Sequence, residues 1–165
     1  MIKQINIYLL TMFGVGYSKF APGTVASFIT CFVYVIFFSF KINITILLIF
    51  FLIILFYSFY AIEKLNNYFD EKDSSAIVID EFIGQSIPIL TIYYVNFSSD
   101  LIIFVFLSIL SFLLFRFFDI LKPFPINYID NKFKNSLGII LDDIIAGIFS
   151  IITLFFLHIL LIYVF

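Results

Sequence analysis

Two pairs of adjacent acids, Asp80-Glu81 and Asp142-Asp143, open apolar stretches, and each is followed one helical turn later by a small residue. Gly84 stands four positions after Asp80, Ala146 four after Asp142 and Gly147 four after Asp143, so the two segments faintly echo one another. Acids this close to hydrocarbon cost about 2.5–3.5 kcal/mol on insertion scales. Complementing a helix dipole returns only about 0.3–1 kcal/mol, so a functional role explains them better. Small residues let membrane helices approach closely, which would bring the two acid pairs together. Adjacent residues on a helix point about 100° apart, so one acid of each pair can face a site while the other faces a neighbour. A third group is Arg116-Phe117-Phe118-Asp119, followed by Lys122 and Pro123. Arg116 and Asp119 can meet on one helix face, and Pro123 ends the helix at Lys122. The fourth runs from Gly14 to Ser27 and holds Lys19, Pro22, Thr24 and Ser27. There a helix begins whose first-turn N–H groups and dipole suit a phosphate.

Carboxylates from three helix ends would repel unless a cation lay between them, and Mg²⁺ prefers such hard oxygen ligands and often bridges to phosphate. The expected metal ligands are Asp80, Glu81, Asp142 and Asp143, with Asp119 completing the catalytic acids. Lys19, Thr24, Ser27, Arg116 and Lys122 are expected to meet the phosphate oxygens. Taken singly, several of these residues also fit plain roles: a loop entering a helix, a snorkelling Arg116, a cytoplasmic Lys122. The single cysteine, Cys31, excludes an intramolecular disulfide, and it lies in an apolar stretch without a basic phosphate loop. One histidine, His158, is too few for a two-histidine phosphatase and lies far along the chain from the acids. Activated water or an aspartyl nucleophile remains, and water is preferred.

The elements that must position these residues follow from composition. The 165 residues are 64% apolar, 12% charged and 22% aromatic. Soluble domains run at about 45–50% apolar and about 25% charged, and one of this length has no room to hide so much apolar surface. Disorder is excluded on the same ground. With a net charge of −2 and no basic run, no nucleic-acid partner is expected. The chain reads as an all-α integral membrane protein with about five membrane helices, near 24–40, 44–62, 82–97, 101–118 and 144–165. The third is short and carries Gly84, Gln85 and Pro88. Residues 1–13 form a short interfacial or re-entrant helix, and 70–73 a solvated loop. This threading puts Lys3, Lys19, Lys64, Lys72, Arg116, Lys122, Lys132 and Lys134 on one side and only Lys41 on the other. Basic residues favour the cytoplasmic side, so that side faces the cytoplasm. It also holds ten of the eleven acids, all but Asp100. A small transporter or channel subunit would share the broken helices and intramembrane charges, but it would place polar groups across the membrane rather than at one face.

At these residues the sequence resembles the phosphatidylglycerophosphatase A family. The resemblance rests on four segments in the family's order: Ala21-Pro22-Gly23-Thr24, Asp80-Glu81-x-x-Gly84, Phe118-Asp119-x-x-Lys122-Pro123-x-Pro125, and Asp142-Asp143-x-x-Ala146-Gly147. Ala26-Ser27 departs mildly from an expected Gly-Ser. The resemblance implies one membrane domain over 1–165, a Mg²⁺-dependent phosphatase of the cell (inner) membrane with its site open to the cytoplasm. Its implied substrate is the bilayer lipid phosphatidylglycerophosphate, and its products are phosphatidylglycerol and phosphate. Oligomeric state stays open.

Overall fold

The computed structural model describes residues 2–65, 76–95, 99–133 and 136–164, and among these every regular element is helical. The elements are α1 (Ile2–Leu10), a 3₁₀ turn (Val15–Tyr17), α2 (Pro22–Ser39), α3 (Ile44–Leu65), α4 (Ile79–Val95), α5 (Leu101–Leu121), α6 (Ile126–Lys132) and α7 (Ser136–Val164). The loop expected over 70–73, with Lys72, and the residues Asn96–Ser98 and Lys134 lie outside the described residues.

Local chemistry sets the helix ends. Pro22 occupies the first turn of α2, where its missing N–H costs nothing. Asp100 caps α5 by accepting from the Ile102 N–H at 2.7 Å. Lys122 closes α5 in a left-handed conformation (φ 43°), its N–H donating to the Phe118 carbonyl, immediately before Pro123.

Among the described residues, four helices are long and apolar enough to cross a membrane: α2, α3, α5 and α7. The expected count of about five is therefore met in part, and the difference lies in α4. That helix has 17 residues, about 25 Å at 1.5 Å per residue, against a hydrocarbon thickness near 30 Å. It is the central element, packed against α2, α3, α5 and α7. Ten of its residues are buried, among them Gly84, Gln85, Ser86 and Pro88. A helix enclosed by other helices has no need of an apolar coat, so hydropathy under-reports it. By contrast α3 exposes Ile46, Ile49, Ile53, Phe56 and Tyr60. Their alternating three- and four-residue spacing makes one continuous stripe suited to lipid.

Aromatic packing fills the bundle. Phe38 of α2 stacks on Phe104 of α5 with ring centroids 4.0 Å apart, and Tyr93 of α4 meets both rings edge-on. The N-terminal helix packs inward: Asn6 is buried and accepts a 2.6 Å hydrogen bond from the Tyr57 hydroxyl of α3. The Leu10 carbonyl accepts from the Val78 N–H at 3.0 Å, tying α1 to the lead-in of α4.

The last helix starts at Ser136, well ahead of the expected start at 144. Ile140 is fully buried, and its packing carries α7 back past the acids. Asp142 and Asp143 consequently sit in the second turn rather than at the helix tip. Dipole complementation fades within the first turn, so it accounts for them even less well than the sequence suggested.

Candidate active site

The starts of α2, α4 and α7 and the end of α5 share one end of the bundle, and the acids converge there. One carboxylate oxygen each from Asp80, Glu81 and Asp143 lie within 4.8 Å of one another. Glycine makes this possible. A Cβ built on Gly147 would lie 2.5 Å from the Gly84 carbonyl oxygen, and one on Gly84 would lie 2.7 Å from the Asp143 carbonyl oxygen. The two backbones thus touch where any side chain would part them. This crossing is one turn, about 6 Å, along the helices from the acids.

The first turn of α2 completes the wall. A Cβ on Gly23 would overlap Glu81 Oε1 and stand 3.2 Å from Arg116 Nη1. The long Glu81 side chain therefore reaches across to α2, and both members of the Asp80-Glu81 pair join the cluster. The second pair divides as helical geometry expects. Asp143 turns into the cluster, while Asp142 Oδ2 accepts from Lys122 Nζ at 2.9 Å.

Two basic side chains frame the acids. Arg116 Nη1 lies 2.6 Å from Asp119 Oδ2, and both side chains are mostly buried. This is a charge contact rather than an aligned hydrogen bond, since Arg116 Nε and Nη1 have no hydrogen-bond acceptor. Asp119 is also within electrostatic reach of Glu81 and Asp143. Lys122 bridges Asp142 and Asp130, the latter at 3.1 Å. Its partial burial by itself would lower the ammonium pKa. Hydrogen bonds and attraction from Asp142 and Asp130 outweigh that and raise it above the ordinary lysine value, so Lys122 stays charged at neutral pH.

Four carboxylate oxygens here are buried without a hydrogen-bond partner: Asp80 Oδ1, Glu81 Oε2, Asp142 Oδ1 and Asp143 Oδ2. Buried polar atoms are normally satisfied, and several orphans in one place call for a ligand. Hard anionic oxygens suit a divalent cation such as Mg²⁺, so the donor set fits the metal. Below this layer, the fully buried Gln85 donates to Ser111 Oγ at 3.2 Å, one turn past Glu81.

The phosphate-side candidates divide. Arg116 and Lys122 border the acids, as described. Thr24 is half-buried in the first turn of α2. Ser27 is fully buried and donates to the Gly23 carbonyl at 2.8 Å, so its hydroxyl is used within α2. Lys19 is exposed on the segment leading into α2. Sequence reasoning did not single out Asp130, which shares Lys122, or Gly23 as the surface on which Glu81 rests. The only sequence signal for Asp130 was the proline-marked turn after Lys122, which folds α6 back. Cys31 is buried in α2 near the Ser108 carbonyl, 3.7 Å away. His158 lies 15 residues beyond Asp143 on α7, about 22 Å along the axis.

The family model described as Phosphatidylglycerophosphatase A matches residues 8–158. A Haemophilus influenzae protein named "Phosphatidylglycerophosphatase A" is 37% identical over 156 residues, covering 93% of this chain and 90% of that protein. A Bacteroides thetaiotaomicron protein named "Putative phosphatidylinositol-3-phosphatase" is 33% identical over 159 residues, covering 90% of each. An Escherichia coli K12 protein named "Phosphatidylglycerophosphatase A" is 33% identical over 85 residues, or 52% of this chain and 45% of that one. No solved structure matches.

Proposed function

The chain belongs to the phosphatidylglycerophosphatase A family and is a lipid phosphatase; from that premise we propose that it hydrolyses phosphatidylglycerophosphate to phosphatidylglycerol and phosphate, using Mg²⁺, at the cytoplasmic face of the cell membrane. The observation that carries this reading is the meeting of Asp80, Glu81 and Asp143, with unpartnered oxygens, beside Arg116 and Lys122. The cytoplasmic placement rests on the basic residues gathered at the same end of the bundle.

Asp80, Glu81 and Asp143 would hold the cation, with Asp142 steadied beside them by Lys122. Bound Mg²⁺ supplies charge neutralisation and polarises a phosphoryl oxygen. The residues of the chain do the rest. Arg116, held by Asp119, brings a planar guanidinium whose fork of donors can span two oxygens of a tetrahedral phosphate. Lys122, beside Asp142, offers a second positive charge. A free carboxylate oxygen of the cluster accepts the proton of the attacking water and hands it to the departing glycerol oxygen as the phosphorus–oxygen bond breaks, leaving phosphate and the lipid alcohol. The shared burial of the acids keeps bulk water from weakening these charges.

The test uses purified protein in detergent micelles with phosphatidylglycerophosphate, measuring phosphate with Mg²⁺ and with chelator. Release that depends on Mg²⁺ supports the reading, and no release in either condition refutes it. Phosphatidylinositol 3-phosphate run in parallel checks the substrate, and a clear preference for it would overturn that choice. Hydrolysis in heavy-oxygen water separates direct attack by water from a phosphoryl-aspartate route.

A further inference from the structure

A cavity of about 500 Å³ lies on the other side of the turn that carries Asp80 and Glu81. Its walls are Ile29 and Val33 of α2, Phe50 and Ile54 of α3, and Ile79 and Phe82 of α4. Ile79 and Phe82 bracket the two acids in sequence, so one turn of α4 presents carboxylates to the site and apolar side chains to the cavity. Met12 and Phe13, just beyond α1, close part of the wall. We propose that this cavity is a slot for one acyl chain of the phospholipid substrate, drawn from the leaflet on the carboxylate side.

Depth is the first argument. The α3 lining runs from Phe50 to Ser58, about 12 Å along the helix, against about 15 Å for half the hydrocarbon thickness. The lining starts at Ile79 and Phe82, beside the acids, and runs to the middle of α2 (Ile29, Val33) and the middle of α3 (Phe50 to Ser58). The slot therefore begins at the site and extends toward the middle of the bilayer, the path a lipid chain takes below its headgroup. Chemistry is the second argument. Its two polar side chains are already satisfied, Tyr57 donating to Asn6 and Ser58 to the Ile54 carbonyl. The wall thus offers hydrocarbon and little else. Access is the third. Phe13 (80% exposed) and Ile53 (62% exposed) stand at its rim, so it opens sideways to lipid rather than to water. A volume near 500 Å³ is within the range of about 300–1,000 Å³ usual for ligand sites. An amphiphile with a phosphate at one end and a chain at the other matches a polar cluster and an apolar slot sharing one helical turn.

This inference rests on the phosphatase reading, and the experiment separates the two. Val33→Phe and Ile54→Phe fill the slot from facing walls and touch no residue of the site. Hydrolysis of dioleoyl and dihexanoyl phosphatidylglycerophosphate is compared in mixed micelles. For both variants kcat/KM on the dioleoyl lipid should fall about tenfold or more, mainly through KM, the loss set by about two methylenes barred from apolar burial. On the dihexanoyl lipid, which has little chain to place, the change should stay within about twofold. Independently, phosphatidylglycerol bearing a mid-chain diazirine should label wild-type protein on the α2 and α3 lining. Equal effects on both lipids in both variants, or labelling confined to α5 and α7, would overturn the slot. Wild-type protein that hydrolyses neither lipid would refute the phosphatase reading and the slot together.

Discussion

Substituting Gly147 with alanine tests the helix crossing that brings the acids together. The new methyl would lie 2.5 Å from the Gly84 carbonyl oxygen, where ordinary contact begins at 3.4 Å. Relief requires about 0.9 Å of separation between α7 and α4, because the obstructing atom is backbone and has no rotamer to change. Asp143 lies one turn away on the same helix and must move with it, away from Asp80 and Glu81. Overpacking of this kind costs about 1–3 kcal/mol in stability. A catalytic group displaced by about 1 Å costs about a hundredfold in rate. The assay is Mg²⁺-dependent phosphate release by the detergent-purified protein, with thermal inactivation followed in parallel. Ile148→Ala, at the adjacent half-exposed position, serves as control and should change stability by about 0.5 kcal/mol or less. If Gly147→Ala kept wild-type turnover and the same Mg²⁺ dependence, the argument that backbone contact sets the carboxylate spacing would fail.

Asp80→Asn and Asp143→Asn should each lower kcat by about a hundredfold or more, the scale of a key electrostatic group, with extraction and elution profile unchanged; full activity in both would leave the cluster without a catalytic role. Gly23→Ala should push Glu81 off α2 and raise the Mg²⁺ concentration needed for half-maximal rate by about tenfold, as read from a metal titration. Lys122→Met should destabilise by more than about 1 kcal/mol, because Asp142 is nearly buried and would lose its partner, yet by less than the about 3–5 kcal/mol of a fully buried pair. Asp130→Asn, removing the half-exposed partner of the same lysine, should cost less than about 1 kcal/mol; comparing thermal inactivation of the two variants checks the ranking.

Charge placement was readable because the bilayer punishes it. An acid or base near hydrocarbon is expensive, so Asp80, Glu81, Asp142 and Asp143 stand out against a chain that is 64% apolar. Adjacent chemistry was equally local: the Arg116–Asp119 pair follows from their spacing, and the end of α5 at Lys122 follows from Pro123. The faint echo between the Asp80–Gly84 and Asp142–Gly147 segments also acquires a physical meaning. Each helix carries an acid and, four residues on, the glycine at which the two helices touch.

Other features were not local. The start of α7 at Ser136 depends on the burial of Ile140, which no pattern in that segment announces. Hydropathy could not reveal that α4 is the enclosed helix, since it measures a preference for lipid and α4 meets mainly protein. Which acid of each pair faces the cluster was undecided as well. Asp143 enters it while Asp142 turns to Lys122, and Glu81 enters because Gly23 leaves room for it.

The residue types alone thus determined that the chain forms helices apolar enough to cross a membrane, with a few acids and bases set against them, because solvation energy acts on each residue whatever its neighbours. Only the tertiary structure decided that Asp80, Glu81 and Asp143 share one small volume, that Asp130 joins Lys122, and that an apolar slot backs the same turn. Those facts depend on how closely helix backbones approach and how they rotate about their axes, and both are fixed by contacts between residues far apart in sequence.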